Sequence, residues 1–432
     1  MHDEMLAQER PALSGQVSDK LKTLSTGEDK QSTPRQDETQ ESTVQRKVHS
    51  LTGRITLPLM YKAFKAVKRN RGAAGVDKVS IQCFEANLDH NLIALMSALK
   101  TRRYQPLPLR RKYITKSNGK LRPLGIPTVK DRIAQEVVRQ LLDPIFDPTF
   151  HPDSYGFRKG RNAHQAIARI HQLTADGYRV VADADIQRFF DEIPHKLIVD
   201  SVAEKVADGN ILELVRKFLT SGVMEEGKRL PTRKGTPQGG VVSPLLANIV
   251  LDKLDRVLEA HGCKFVRYAD DFVILCQTLP DAERALALVS TTISHMELSL
   301  HPDKTHIAPL ATGFEFLGFS INHRGCTICP KAIERLKDKI RATTIRCHNL
   351  DRGVVTRLNQ ILRGTVNYFV PDSQATGAAI FLRMDKWIRK RIRCMKYKRI
   401  SRTDNRRLLN KHIARLGILS MYELFRTAKG VS

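Results

Sequence analysis

The sequence is poor in aromatic residues and in paired cysteines, and it lacks any long apolar run. Its seven cysteines are an odd number scattered over 432 residues, which argues against a disulfide framework and favours a reducing compartment. No stretch approaches the roughly 18 consecutive apolar residues of a membrane-spanning helix. The opening MHDEMLAQER is acidic and polar, unlike a targeting signal. These absences predict a cytoplasmic protein that does not cross a membrane.

The first 50 residues contain no Phe, Trp or Tyr, and they hold nine acids against seven Lys and Arg. Such a segment cannot bury enough apolar surface to offset the entropy that it loses on ordering. We therefore predict a disordered polar arm over residues 1–50.

Basic residues dominate the remainder of the chain. The net charge is +27, and the segment after residue 50 alone carries +29. An excess of this size predicts a polyanionic partner, of which nucleic acid is the most common.

The hydrophobic pattern changes along the chain. Residues 109–138 predict two short strands, a Ser-Asn-Gly turn and then a helix that opens near Asp131, and VVADAD at 180–185 predicts a buried strand ending in acids. Short strands are also expected at LSLHPDKTHI, 298–307, and FEFLGFSIN, 314–322. After about residue 330 the pattern is helical. The sequence as a whole predicts an α+β fold.

Two acids stand side by side in FVRYADDFVIL, between two apolar runs. Asp270 and Asp271 at a hairpin turn would repel each other by about 4 kcal/mol near 4 Å in a partly shielded site, so a cation is expected there. Asp185, at the end of its own strand, is the best candidate for a third carboxylate; Asp183, on the same strand face, is the alternative. Such a group suits two Mg²⁺ ions and nucleotidyl transfer. The competing interpretation is that the pair only caps a turn.

Cys326 and Cys329 form a CxxC with His323 just before it. A zinc site would need a second pair at matching spacing. A strand-edge turn is the favoured interpretation, and metal binding is the alternative.

Eight sequence blocks, taken in order, resemble the reverse transcriptases encoded by group II introns. YADD at 268–271 resembles the palm signature of that family, DIQRFFDEI at 185–193 its first metal-binding block, and GTPQGGVVSPLLANI at 235–249 a block distinctive of the intron-encoded branch. The remaining five are GKLRPLGIPTVKDR at 119–132, HPDSYGFRKGRNAHQAI at 151–167, LSLHPDKT at 298–305, FEFLGF at 314–319 and LNQILRGTVNYF at 358–369.

This resemblance implies a right-hand polymerase fold of fingers, palm and thumb with a basic helical C-terminal extension. The implied boundaries are an N-terminal extension and fingers at 51–175, a palm at 176–328, a thumb at 329–376 and a maturase or DNA-binding segment at 377–432. Members of the family often continue into an endonuclease domain, which we do not expect here. Thr365 stands where the family usually shows tryptophan.

The resemblance also assigns residue roles. Asp185, Asp270 and Asp271 would be the catalytic metal ligands, with the Ile186 carbonyl as an additional ligand and Mn²⁺ as an alternative to Mg²⁺. The implied nucleotide contacts are the triphosphate-binding Lys116 and Arg122, the ribose gate Phe190, the nucleotide-contacting Gln238, and Lys304, which would assist pyrophosphate departure or else be a solvated surface lysine.

Other cations are expected to bind nucleic acid. Arg158, Lys159 and Arg161 would contact template or primer phosphates. Residues 383–407 hold 12 Lys and Arg and two acids with Trp387 and Tyr397 interleaved, which favours a nucleic-acid surface over a solvated helix. The cations singled out there are Arg389, Lys390, Arg391 and Arg393. His164 and His171 are expected to be ordinary helix residues.

The implied activity is RNA-directed DNA polymerisation with assistance to intron splicing and retrohoming, in a bacterial cytoplasm. The implied partners are a structured intron RNA, a DNA target or primer, and dNTPs. Two alternatives stay open: a domesticated reverse transcriptase acting in DNA repair or phage defence, and an RNA-binding maturase that acts only in splicing. Homodimerisation is also left open.

Overall fold

The computed structural model describes residues 47–115, 121–370, 378–399, 401 and 403–430. Nearly all of the polar arm predicted at 1–50 lies outside these residues. The described part mixes helices with three small sheets, which confirms the α+β prediction. None of its helices combines the length and the apolar composition needed to cross a bilayer.

The secondary structure follows the predicted order. The helices described are α1 Leu57–Asn70, α2 Ile81–Glu85, α3 Leu88–Lys100, α4 Val129–Phe146, α5 Ala163–Ala175, α6 Phe189–Glu192, α7 His195–Ala203, α8 Gly209–Leu219, α9 Ser243–Ala260, α10 Leu279–His295, α11 Pro330–Thr343, α12 Arg352–Phe369, α13 Ala378–Tyr397, α14 Asp404–Arg407, α15 Asn410–Arg415 and α16 Met421–Lys429. The strands described are β1 Leu109–Thr115, β2 Leu121–Ile126, β3 Val180–Asp185, β4 Val223–Glu225, β5 Lys228–Leu230, β6 Lys264–Tyr268, β7 Asp271–Cys276, β8 His306–Pro309, β9 Phe314–Phe316, β10 Phe319–Asn322 and β11 Gly325–Ile328.

Local sequence signals explain where several helices begin. The Thr128 hydroxyl accepts a hydrogen bond from the Asp131 amide at 3.0 Å and caps α4. Asn162 and Gln165 form a reciprocal capping box at the start of α5, because each side chain satisfies a backbone amide that the helix leaves without a partner.

The central sheet has the strand order β6-β7-β3-β8, and all its pairings are antiparallel. Its two faces belong to two different cores, as expected when successive strand residues point to opposite sides. Ala182 and Ile274 pack into a core shared with α4, α9 and α10. Val181 and Val273 pack into a core shared with α5, α12 and α13. The sheet is therefore covered on both faces, so a reaction site can form only at the ends of its strands.

The smaller sheets flank this centre. Strands β1 and β2 form an antiparallel hairpin that extends through β4 to β5, and β9, β10 and β11 form a three-stranded sheet ahead of α11. Helices α11 and α12 pack together, and α13 packs on α16. The domain boundaries given above remain proposals.

One strand prediction is wrong in its extent. Within the segment 298–307, only His306 and Ile307 belong to a strand, which is β8. The preceding residues turn along the end of β3: the Gln187 amide donates to the Ser299 carbonyl at 2.8 Å, and the His301 amide donates to the Asp185 carbonyl at 2.7 Å. This path brings Lys304 to the end of the sheet.

Candidate active site

The predicted strands that carry the acids at their ends meet at one end of the central sheet. Asp185, the last residue of β3, lies directly opposite Asp271, the first residue of β7. Asp270 stands in the tight turn that joins β6 to β7, where Tyr268 pairs with Asp271. The turn requires a left-handed backbone at Ala269, whose φ is 60°. Asp183 lies two residues before Asp185 and pairs with His306 on β8.

Desolvation, with a smaller contribution from mutual repulsion, raises the pKa of three of these acids. Desolvation, followed by the charges of Asp270 and Asp185, raises the pKa of Asp271 to about 6, although the residue is reached by solvent. Desolvation raises the pKa of Asp183 to about 6. Desolvation and the nearby Asp185 also raise the pKa of Asp270. The site therefore favours an added positive charge.

A lysine supplies one such charge. The Lys304 ammonium lies 2.7 Å from Asp185 Oδ2, with 58% of the lysine side chain exposed. The structure therefore places Lys304 at the acidic cluster rather than on a remote surface. Because more than half of its side chain is exposed, Lys304 can exchange Asp185 for another partner.

The donor set at this end of the sheet suits a hard divalent cation. It consists of the carboxylate oxygens of Asp185, Asp270 and Asp271, and such oxygens are the ligands that Mg²⁺ prefers. Among the described residues, no three His, Cys, Asp or Glu side chains form a ready-made cage. Mg²⁺ in proteins commonly binds one or two carboxylates and fills its remaining positions with phosphate and water. Ile186 is buried and bridges to Leu300 beside the cluster.

A fully buried ion pair supports the acidic turn from behind. Arg267 and Asp255, both 0% exposed, form hydrogen bonds between Nε and Oδ1 at 2.8 Å and between Nη2 and Oδ2 at 2.5 Å. Arg267 Nη1 donates to the Asn248 side chain at 2.9 Å and to the Ala269 carbonyl at 3.0 Å. Helix α9 thereby fixes the carbonyl of the turn residue that precedes Asp270.

Gly156 holds the same turn from another side. A Cβ built on Gly156 would lie 2.3 Å from the Ala269 amide nitrogen, so only glycine fits. Asn248 Nδ2 donates to the Gly156 carbonyl at 2.9 Å. The Tyr155 amide donates to the Arg267 carbonyl at 2.8 Å. The loop that carries Gly156 and the acidic turn therefore form one rigid unit.

Three of the predicted nucleotide contacts lie beside this unit. Arg122 on β2 donates from Nε to Gln238 Oε1 at 2.6 Å, and Gln238 Nε2 donates to both carboxylate oxygens of Asp191 at 3.2 Å. These partners fix which end of the Gln238 amide faces the arginine. Phe190, half-buried, stacks edge-on against Phe189 at a centroid distance of 5.6 Å. Lys116 lies outside the described residues.

Close backbone approach brings the Gln238 loop to the sheet. The Thr236 amide donates to the Phe190 carbonyl at 2.7 Å, and the Gly125 amide donates to the Gln238 carbonyl at 2.9 Å. Gly239, with φ of 115°, has no room for a Cβ, which would lie 2.4 Å from the Gly125 carbonyl oxygen. The glycine-rich motif thus ties β2 to the segment after β3.

A cleft of about 460 Å³ opens from Asp271 toward the helices that follow the sheets. It is lined by Leu317 and Gly318, by Arg335 and Lys339 on α11, and by Thr365 on α12, among other residues. The cleft joins the acidic cluster to two cations, so it can accept a strand with a charged backbone. Thr365 lines its wall.

Arg158 has a structural role that differs from the one expected. Its side chain is only 6% exposed and pairs with Asp147 at 2.7 Å. It also donates to the carbonyls of His151 and Ser154, both at 2.8 Å. With its donors used inside the protein, Arg158 is not available to grip phosphate. Lys159 is exposed, and Arg161 lies over the Tyr155 ring at 5.4 Å.

The four C-terminal cations fall on different faces of α13. Lys390 is exposed and, with Arg389, Arg393 and Lys386, lines a cavity of about 640 Å³. Arg391 instead donates to the Thr344 carbonyl at 2.7 Å. Three of the four predicted residues therefore share one basic surface, and Arg391 helps to hold α13 against the end of α11.

Histidine and cysteine positions fit structural roles. His164 Nε2 hydrogen-bonds the Tyr368 carbonyl at 2.7 Å and links α5 to α12. His171 also lies in α5. Cys326 is buried within β11, and Cys329 is the buried residue that precedes α11.

Several site residues were missed by sequence reasoning. Asp191 lies inside the quoted DIQRFFDEI block, yet its contact with Gln238 joins residues 47 positions apart. Arg267 directly precedes YADD, but its partner Asp255 appears in the sequence as one more acid on a helix. A useful signal was available for Asp255 and Asn248: both are polar positions on the apolar face of α9, where burial requires a partner.

Known proteins resemble this chain in two consecutive segments. Residues 114–321 match the family described as reverse transcriptase (RNA-dependent DNA polymerase), and residues 333–413 match the group II intron, maturase-specific domain.

Individual relatives agree with these matches. Protein YkfC of Escherichia coli strain K12 is 33% identical over 314 residues, which cover 63% of this chain and 82% of that protein. Group II intron-encoded protein LtrA of Lactococcus lactis subsp. cremoris is 37% identical over 212 residues, which cover 48% of this chain but only 35% of LtrA.

A solved structure of telomerase from Candida albicans, in complex with a fragment of telomeric RNA, aligns with 82% of this chain and 68% of that one. Its TM-score is 0.43 and its sequence identity is 13%, which is too low to support a further conclusion.

The acidic turn, the glutamine-bearing loop and the two consecutive domain matches therefore agree: this chain belongs to the group II intron-encoded reverse transcriptases, with a reverse transcriptase domain followed by a maturase-specific domain.

Proposed function

We propose that this protein is an RNA-directed DNA polymerase that copies a structured RNA, its group II intron, into DNA, with Asp185, Asp270 and Asp271 as its metal-binding catalytic residues. The observation that carries the proposal is the pairing of Asp185 with Asp271 across β3 and β7, beside the linked Arg122, Gln238 and Asp191. The family as a whole depends on divalent metal; two Mg²⁺ ions at these carboxylates is our proposal for this chain.

Bound metal would activate the attacking primer hydroxyl and stabilise the leaving oxygen. The protein's own contribution is positional. Asp185 and Asp271 present their carboxylates from opposed strands, and the buried Arg267 pair holds the turn that carries Asp270. Lys304, which is paired with Asp185 at 2.7 Å, would stabilise the negative charge that develops on the departing pyrophosphate.

The nucleotide pocket is proposed on the β2 side of the acids. Arg122 provides a charged donor for the triphosphate, which suits the geometry of a guanidinium. Phe190 would exclude a ribose 2′-hydroxyl and so select dNTPs. Gln238, held between Arg122 and Asp191, would contact the incoming nucleotide.

Further parts of the function rest on the maturase-specific match. We propose that residues 377–432, with the basic surface of α13, bind intron RNA for splicing and bind DNA during retrohoming. The cleft beside Asp271 would receive the primer strand. We propose a bacterial cytoplasmic location for this activity.

The test is primer extension on an RNA template with dNTPs and Mg²⁺. The wild-type protein would be compared with an Asp270→Ala, Asp271→Ala double variant and with Glu283→Gln, which removes an exposed charge from α10. We expect extension by the wild type and by Glu283→Gln, and none by the double variant, while all three bind the primer-template.

No extension by a folded wild type that binds RNA would instead support a splicing-only maturase. Extension by a protein whose gene lies outside any intron would support the domesticated alternative.

A further inference from the structure

The loop that packs against the catalytic turn contains a residue with an unusual backbone conformation. Phe157 directly follows Gly156, has a φ of 58°, and leaves 60% of its side chain exposed. A left-handed backbone is unfavourable for a bulky residue and persists only where the surroundings impose it. Exposed apolar residues are common by themselves, but an exposed ring on a strained backbone beside a catalytic turn calls for a function.

The surroundings impose this conformation from both sides. Before Phe157, the loop is fixed to the catalytic turn by the Asn248 bond to the Gly156 carbonyl and by the close contact of Gly156 with Ala269. After Phe157, the Arg158 guanidinium is locked onto Asp147 and onto the carbonyls of His151 and Ser154. Phe157 is therefore presented to solvent from a rigid support rather than from a mobile loop tip.

The charges nearby indicate what would cover the ring. Lys159 is exposed two residues later, and Arg161 stacks over Tyr155 in the same loop. An exposed aromatic ring on a fixed backbone, with cations two and four residues further along the loop, is an arrangement that suits nucleic acid, which binds through base stacking together with backbone phosphate contacts.

We propose that Phe157 is a stacking platform for a nucleobase of the primer-template beside the catalytic turn. This inference rests on the proposed function, because it requires that a primer-template enter this site. The nucleobase comes either from the template or from the primer terminus, and the chemistry of stacking is the same for both.

The test is binding of an RNA template paired with a DNA primer, in EDTA and without dNTPs, so that catalysis plays no part. One substrate carries the fluorescent base 2-aminopurine in the template at the primer junction, and the other carries it at the primer 3′ end. We expect the wild type to change the fluorescence of one of the two, which identifies the source of the base. Phe157→Ala should abolish that change and weaken binding about tenfold.

Three further variants make the result specific. Phe157→Trp should restore both signals, whereas Phe157→Leu should restore neither, because it keeps apolar area but has no ring. Leu279→Ala, which removes a side chain that is 52% exposed at the start of α10, should behave as wild type. Thermal unfolding of each variant checks its fold.

The stacking role would be overturned if Phe157→Ala bound and changed the fluorescence as the wild type does. It would also be overturned if Phe157→Leu fully restored both binding and the fluorescence change. Either result would leave the polymerase proposal intact. A wild type that binds neither substrate would overturn both.

Discussion

Asp185 and Asp271 face each other directly across the antiparallel strands β3 and β7. Residues opposed in this way lie about 5 Å apart at their Cα atoms, so two negative charges are held together by the sheet itself. Desolvation and the neighbouring acids raise the pKa of Asp271 to about 6. The arrangement makes the protein without metal less stable where these acids are ionised.

Metal binding should therefore be coupled to pH and stability. The carboxyl of Asp271 has a pKa of about 6 in the folded protein and about 3.9 in an unfolded chain. Its protonation favours the folded state below about pH 4, and this contribution is lost as the pH rises through 6. Mg²⁺ binds the ionised form, so we expect Mg²⁺ to raise the melting temperature more at pH 7.5 than at pH 5. Asp271→Asn should raise the melting temperature in EDTA at pH 7.5 and reduce the effect of Mg²⁺; equal Mg²⁺ effects at both pH values would contradict this.

Lys304 should compete with metal for Asp185. Because the ammonium lies 2.7 Å from the carboxylate in the structure, Lys304→Gln should lower the Mg²⁺ concentration needed for half-maximal extension by a few fold. It should also reduce kcat, since the charge near departing pyrophosphate is lost. A Mg²⁺ titration of extension measures both effects, and Lys196→Gln, which changes an exposed lysine on α7, is the control. An unchanged kcat and an unchanged Mg²⁺ requirement would show that Lys304 has no role in the reaction beyond that of a solvated lysine.

Asp191 should act on nucleotide affinity through Gln238. Asp191→Ala removes the acceptor for Gln238 Nε2 and should raise the KM for dNTPs about tenfold, with primer-template affinity unchanged. Asp191→Asn keeps an acceptor oxygen and should stay near wild type. Combining Asp191→Ala with Gln238→Ala should add little to Gln238→Ala alone, because the two residues act as one unit. Additive losses in steady-state kinetics would show that Asp191 acts elsewhere.

Gly156→Ala should abolish extension although it adds one methyl group. Its Cβ would lie 2.3 Å from the Ala269 amide and must displace the turn that carries Asp270. Gly364→Ala is the matched control: a Cβ there meets nothing within 4 Å on α12, and the change should stabilise the helix by up to about 1 kcal/mol. Primer extension and thermal unfolding report the two effects. Full activity of Gly156→Ala would mean that the turn tolerates displacement.

The basic surface of α13 should set the salt dependence of RNA binding. Replacing Lys386, Arg389 and Lys390 by Gln removes three cations that line one cavity, so the slope of log affinity against log salt should become shallower by about 2 to 3. Binding of a structured RNA at several salt concentrations measures this slope. Arg216→Gln, which changes an exposed arginine on α8, is a control away from that surface. An unchanged slope would place the RNA on another surface.

The sequence predicted where the candidate catalytic acids lie in the fold, because each acid sits at a local boundary that the pattern of apolar residues reveals. Asp185 ends an apolar strand and Asp271 begins another, and both boundaries are found in the structure. Periodicity could not show that Arg158 turns inward, because whether an arginine meets phosphate or Asp147 depends on folding of the loop.

The same limit applies to Asp191 and Asp255. Their partners Gln238 and Arg267 lie 47 and 12 residues away, and no local pattern encodes these pairings. The pattern of residues 298–307 predicts a strand, but backbone hydrogen bonds that join Ser299 and His301 to the end of β3 and the residues that follow it hold the first part of this segment as a turn.

The clamp around the catalytic turn also has a consequence for how the protein forms during synthesis. Its components come from the Gly156 loop, from Asn248 and Asp255 on α9, and from Arg267 beside the turn. A ribosome must therefore release the chain beyond β7 before the acids can reach their working positions, and contacts so distant in sequence form slowly. A nascent chain that already carries Asp185 has no functional centre. The transcript that encodes the protein can therefore meet a competent polymerase only after most of the protein has been made.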